Sequence, residues 1–122
     1  MLEGKDVFMN GDGLSSRDFC YIENVVQANI LAAFSTEEAN GKVFNIAVGE
    51  RTTLIELFEI LKNSVEKITG KKVAPAMMRS FREGDIPHSL ASIEMAQKVL
   101  QYQPVIKIGH GLLETVKKSI KI

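Results

Sequence analysis

Side chains able to do chemistry are concentrated in two short runs of this 122-residue chain. In the first, Gly11-Asp12-Gly13-Leu14-Ser15-Ser16-Arg17-Asp18-Phe19-Cys20-Tyr21-Ile22-Glu23-Asn24, a glycine turn delivers Arg17 into an apolar segment that leads into a helix. A guanidinium is permanently charged and presents its donors as a planar fork, which suits a phosphate. The same letters also describe a surface arginine paired with Asp18 or Asp12. In the second run, Arg82-Glu83-Gly84-Asp85, an arginine and a carboxylate flank a glycine, which is also how an ordinary charged turn reads. Gly109-His110-Gly111 stands before an amphipathic helix and marks a helix entry rather than a phosphate cradle. The two isolated histidines, His88 and His110, make no metal site. Cys20, beside Phe19, reads as a small buried hydrophobe rather than a nucleophile. No general acid/base stands out, so no catalytic residue is assigned.

Composition bounds the chain without naming a function. Hydrophobic residues make up 45% and charged residues 25%, an ordinary soluble balance, and the length fits one domain over 1–122. Fifteen basic residues offset fifteen acidic ones, so no overall field favours nucleic acid or an anionic membrane. Any anion site must be local. One cysteine excludes an intramolecular disulfide framework and fits a reducing compartment. With no signal-like start and no apolar run of spanning length, the expected location is the cytoplasm, with no membrane partner.

The elements that must position these residues can be read from periodicity and punctuation. Met1 to Asp6 resembles the frayed end of a helix. Val7-Phe8-Met9-Asn10 predicts a brief strand before a glycine turn, and Phe19 to Ile22 a second extended piece. From Glu23 to Phe34 eight apolar residues form a stripe broad enough for a buried helix, ending near Ser35 to Gly41. Lys42 to Val48, bounded by Gly41 and Gly49, predicts a strand. Thr53 followed by Glu56 gives a capping box for a helix that Gly70 ends. Lys71 to Met78 predicts an edge strand because Pro75 cannot donate to a ladder. Ser92 is placed to cap a helix carrying Ile93, Ala96, Val99 and Leu100, and Gly111 to Ile120 predicts a last amphipathic helix. The class is α/β (α+β), with short strands and about four helices.

Taken together, Gly11-Asp12-Gly13, Arg17-Asp18-Phe19, Asn24-Val25-Val26, Phe44-Asn45-Ile46-Ala47-Val48-Gly49 and Arg82-Glu83-Gly84-Asp85 resemble the C-terminal part of nucleotide-sugar epimerases. These are extended short-chain dehydrogenase/reductases, and the likeness is greatest to UDP-N-acetylglucosamine and UDP-glucose 4-epimerases. The resemblance covers essentially the whole chain. It extends to Gln101-Tyr102-Gln103-Pro104, where the family has leucine-glycine-tyrosine-x-proline and Gln101 stands in place of the glycine.

The resemblance implies an enzyme of two parts, an N-terminal Rossmann domain holding NAD and a C-terminal part holding the UDP-sugar. NAD takes hydride from the sugar C4 and returns it to the opposite face, while a tyrosine handles the proton. The Gly-x-x-Gly-x-x-Gly loop and the Tyr-x-x-x-Lys pair that this requires are absent from the 122 residues. No cofactor is therefore expected on these residues. By the same resemblance Arg17 and Arg82 meet the diphosphate, Asp85 accepts from ribose hydroxyls, and the segment around Phe8 holds the uracil. Asn45 and His88 are further candidates to line the pocket. Each has a plainer reading: Phe8 in a short buried strand, Asn45 satisfying backbone groups, and His88 partly exposed with no role. Two functions follow as expectations. One is a UDP-sugar grip that does not catalyse alone. The other is a stand-alone interaction or self-association module that has lost the epimerase chemistry. The apolar helix from Glu23 to Phe34 is expected to rest on a missing Rossmann domain in the first case and on a second copy of the chain in the other.

Overall fold

The structure, a computed structural model, describes residues 1–120. The chain runs β1 (Phe8–Asn10), β2 (Ser16–Arg17), α1 (Ile22–Ala33), a single 3-10 turn (Glu37–Ala39), β3 (Thr52–Thr53), α2 (Leu54–Thr69), β4 (Met77–Arg79), α3 (Glu94–Leu100) and α4 (Ile108–Ile120). This is the mixed class of four helices and short strands that the sequence predicts.

The strands form two small ribbons. β1 pairs parallel to β4, with Phe8 opposite Met77 and Asn10 opposite Arg79. β2 pairs antiparallel to β3, with Ser16 opposite Thr53 and Arg17 opposite Thr52. On its other edge Ser16 accepts from Ser89 N and donates to Pro87 O at 3.1 and 2.8 Å, so the segment 87–89 forms a third line of extended chain. β3 runs straight into α2. Thr53 Oγ1 accepts from Glu56 N at 3.2 Å while Glu56 Oε2 accepts from Thr53 N at 2.7 Å, the reciprocal capping box. Those Thr53 hydrogen bonds hold the Glu56 carboxyl below its ordinary range. Gly70 closes α2 in the left-handed conformation at φ 69°.

α2 packs on α4 and α1 on α3. Between α1 and α3 lies the main core of Ala28, Ala47, Ile93, Ala96, Leu100 and Tyr102. Tyr102 is fully buried and donates to Ala47 O at 2.8 Å. Burial, followed by the neighbouring Cys20 and Asp18, raises its phenol well above the ordinary value of 10.0, so it remains a neutral donor. Asn24, also fully buried, donates from Nδ2 to Ile106 O at 2.8 Å and accepts at Oδ1 from Ile106 N at 3.1 Å. Its amide does for Ile106 what a neighbouring strand would do, and fastens the start of α1 to the entry of α4.

Several elements differ from the sequence expectation. Lys42 to Val48 is not in a strand, because no other strand lies beside it among the described residues. Its polar groups bond to side chains instead: Val48 N and Gly49 N donate to the two oxygens of Asp18 at 2.9 and 2.8 Å, and Ala47 O receives Tyr102. The second extended piece lies at Ser16–Arg17 rather than Phe19 to Ile22, where its partners β3 and 87–89 are, and Ile22 already begins α1. Met1 to Asp6 holds a turn closed by Gly4 N donating to Met1 O, not a helix end. β4 begins later than predicted, at Met77, beyond Pro75. Ser92 does not cap α3; Ile93 occupies that position without a side-chain bond. α1 is not a buried helix: only Asn24 and Ala28 are buried on it, and Ile22, Val26, Ile30 and Phe34, four residues apart, stand exposed.

Two stability changes follow. Asn24→Ala leaves both backbone groups of Ile106 without their partner, and roughly 2–4 kcal/mol of unfolding free energy should be lost. Denaturant titration with unchanged m-value checks this, and a loss under 0.5 kcal/mol would contradict the assigned role. Gln101 is the sole non-glycine among the described residues with positive φ, at 55°. Gln101→Gly should therefore gain about 1 kcal/mol by relieving the left-handed backbone, seen as a raised Tm.

Candidate functional site

The loop Ser80 to Leu90, exposed throughout, runs from the end of β4 to the line of chain beside β2 and brings the two chemical runs of the sequence together. At its far end, Ser16 Oγ and His88 Nδ1 are 2.9 Å apart, with Ser16 buried. Arg17 Nη1 donates to Ser16 O at 2.8 Å and to Pro87 O at 3.2 Å. Arg17 therefore braces the loop through backbone carbonyls, and neither Asp18 nor Asp12 pairs with it. Asp18 holds Val48 and Gly49, while Asp12 accepts from Leu14 N at 2.9 Å and shapes the glycine turn. His88 and Arg17 thus lie on the same seam, between β2 and the segment 87–89.

At the near end of the loop, two hollows meet at Asn10. One, of about 240 Å³, is lined by apolar side chains that include Phe8, Met9, Leu54, Leu57 and Phe58, and Asp85 contributes its one carboxylate. The other is an open cleft of about 780 Å³ lined by Asn10, Met78, Arg79, Ser80 and Arg82. Asp85 N donates to Arg82 O at 3.2 Å and Gly84 has φ 81°, so a tight turn sets the Arg82 and Asp85 side chains beside different hollows. Phe8, Arg82 and Asp85 are thus gathered around β1 and β4, one chain loop away from Arg17 and His88.

Asn45 is not gathered with them. Its Nδ2 donates to Ser92 O at 3.3 Å, on the extended segment that leads into the main core. The sequence reading overlooked Arg79, whose guanidinium lies 3.4 Å from the centroid of the Phe8 ring. The signal was present in the lone cation that follows Met77-Met78 in an edge strand. Nothing in the sequence said that it would sit diagonally across from Phe8. Cys20 is half-buried, with Sγ 3.9 Å from Tyr102 Oη, in keeping with a packing role.

The described residues do not form a dinucleotide cradle. Gly109 and Gly111 sit inside the first turn of α4, and a Cβ at Gly111 would stand 2.7 Å from Cβ of Tyr21. That glycine permits close packing of α4 against the entry of α1. Among the described residues no group of three metal-ligating side chains gathers, and no helix is long and apolar enough to cross a membrane.

Comparison with known proteins fits this geometry. Residues 1–47 match the NAD dependent epimerase/dehydratase family. Over 118 residues the chain is 31% identical to a UDP-glucuronate 4-epimerase of Thermodesulfobacterium geofontis, covering 96% of this chain and 34% of that enzyme. The fold superimposes on UDP-glucose 4-epimerase of Thermotoga maritima, solved with UDP-glucose, at a TM-score of 0.84 and 34% identity, over 99% of this chain and 37% of the other. On UDP-N-acetylglucosamine 4-epimerase of Methanobrevibacter ruminantium, solved with UDP-N-acetylmuramic acid, the TM-score is 0.85 at 36% identity, over 98% and 36%. The chain thus spans about a third of the length of these relatives. In sequence and in fold the chain is similar to nucleotide-sugar epimerases, and the match is consistent with the C-terminal part of an extended short-chain dehydrogenase/reductase.

Proposed function

We propose that these residues form the UDP-sugar grip of an NAD-dependent nucleotide-sugar 4-epimerase and do not catalyse by themselves. The observation that carries this reading is the junction at Asn10 of an apolar hollow holding Asp85 and a cationic cleft holding Arg82. A nucleoside diphosphate has the same division. Its flat base and ribose suit an apolar hollow with one carboxylate to accept from hydroxyls, and its diphosphate suits guanidinium donors. Arg17, donating to Pro87 O, and the contact of His88 with Ser16 Oγ anchor the other end of the same loop. Hydride transfer and the proton-transferring tyrosine belong to motifs that these 122 residues do not contain. The NAD site is accordingly assigned to a Rossmann domain, and the location proposed is the cytoplasm.

A second reading, an interaction or self-association module, is favoured by one specific feature. The exposed stripe Ile22, Val26, Ile30 and Phe34 on α1 lies near an extended segment without a strand partner, and Phe34 and Val43 are each 87% exposed. Covering such a face is worth roughly 25 cal/mol per Å² of apolar area. In this reading a second copy of the chain would gain that stabilisation.

Calorimetric titration with UDP distinguishes the two readings. Saturable binding, weakened about tenfold or more by Arg17→Ala and by Arg82→Ala, is the expected result for the grip. No saturable signal at millimolar UDP would end it. For the module, light scattering at high concentration should give a dimer mass that Phe34→Glu returns to that of a monomer. A strictly monomeric parent chain would exclude self-association.

A further inference from the structure

The cleft beside Asn10 contains two arginines, and only Arg82 belongs to the motif that drew attention to it. The other, Arg79, differs from Arg17 in what its donors do. Arg17 directs Nη1 to two backbone carbonyls. Among the described residues the side chains of Arg79 and Arg82 make no hydrogen bond and no ion pair to any protein group. Two unpaired guanidiniums sharing one cleft repel each other, and a free arginine at a surface would normally sample many rotamers. Arg79 is instead held with its carbon centre 3.4 Å from the centroid of Phe8. Stacking of this kind occupies the face of the guanidinium and leaves the N–H groups in its plane free to bond an anion.

Backbone bonding holds the rest of the arrangement. Arg79 is opposite Asn10 in the β1–β4 ladder, and its carbonyl accepts from Gly11 N at 2.9 Å. The donors of Arg79 therefore stand at a fixed place beside Asn10, Ser80 and Arg82, and no carboxylate lines this cleft. The field there is positive although the chain as a whole is neutral. From 71 to 82 the sequence carries Lys71, Lys72, Arg79 and Arg82 with no acidic residue.

We propose that Arg79, held over the Phe8 ring, joins Arg82 as a further guanidinium in a clamp for the diphosphate of a bound nucleotide. In this arrangement Phe8 positions the clamp with its ring. The proposal rests on the UDP-sugar reading for the identity of the ligand, but not for the existence of an oxyanion site.

The test is calorimetric titration of the chain with uridine, UMP and UDP. Arg79→Gln should cut UDP affinity about tenfold, reduce the preference for UDP over UMP, and leave uridine unchanged. Phe8→Leu keeps both charges but frees the guanidinium, so it should lower UDP affinity by a smaller factor in the same direction. Far-UV circular dichroism matching the parent chain shows that each variant has folded. An Arg79→Gln chain that folds and keeps the parent preference for UDP over UMP overturns the clamp. If the parent chain binds no nucleotide, inorganic pyrophosphate separates the two ideas. Pyrophosphate-induced amide shifts at Asn10, Gly11 and Ser80 that vanish in Arg79→Gln sink the UDP-sugar reading and keep the clamp. No such shifts in the parent chain sink both.

Discussion

Ser16 donates its backbone N–H to Pro87 O and accepts at its carbonyl from Ser89 N, while on the opposite edge β2 pairs with β3 and Leu54 N donates to Ser15 O. This short seam is the constraint on which the candidate site depends. Peptide groups at a buried position must be paired, and for Ser15 and Ser16 the partners come from two segments far along the chain, at Leu54 and at 87–89. Once they are paired, the loop Ser80 to Leu90 is anchored at both ends, by β4 at one and by β2 at the other. The exposed loop can then carry Arg82 and Asp85 at defined places without a core of its own. Arg17 reinforces the seam by donating to Pro87 O, and His88 by its contact with Ser16 Oγ.

The same logic recurs where regular pairing is missing. Asp18 takes the amides of Val48 and Gly49, Tyr102 takes the carbonyl of Ala47, and Asn24 takes both backbone groups of Ile106. Each is a polar side chain, wholly or partly buried, doing the work of a ladder bond. Each joins the long connections between helices to the main core. Asp18 and Asn24 lie in the run that begins at Gly11, so the stretch that looks most like a ligand motif is also a scaffold. Part of what makes that stretch recognisable is therefore its structural bonding rather than contact with a sugar nucleotide.

The distribution of apolar surface has a different cause. α2 and α4 bury their apolar faces against each other, whereas α1 buries Asn24 and Ala28 and displays Ile22, Val26, Ile30 and Phe34. A helix this apolar on its outward face is normally covered. The chain spans about a third of the length of the relatives it matches, and cover over the outward face of α1 would add stability.

Much of this was legible in the sequence because it depends on local chemistry. The capping box at Thr53 and Glu56, the glycine stop at Gly70, the amphipathic final helix and the glycine turn before Arg17 are each set by residues within one or two turns of one another. The motif runs also placed Arg82 and Asp85 at a turn and Arg17 between the glycine turn and the helix that follows. Tertiary structure decided the rest. Whether 42–48 became a strand depended on a neighbour to share its hydrogen bonds, and Asp18 and Tyr102 took that role instead. Whether α1 was covered depended on what packs against it. Arg79 acquired meaning only when β1 and β4 paired in the register that sets it diagonally from Phe8. Hydrogen-bond partners and stacking faces are chosen in space, and a sequence fixes them only through the fold.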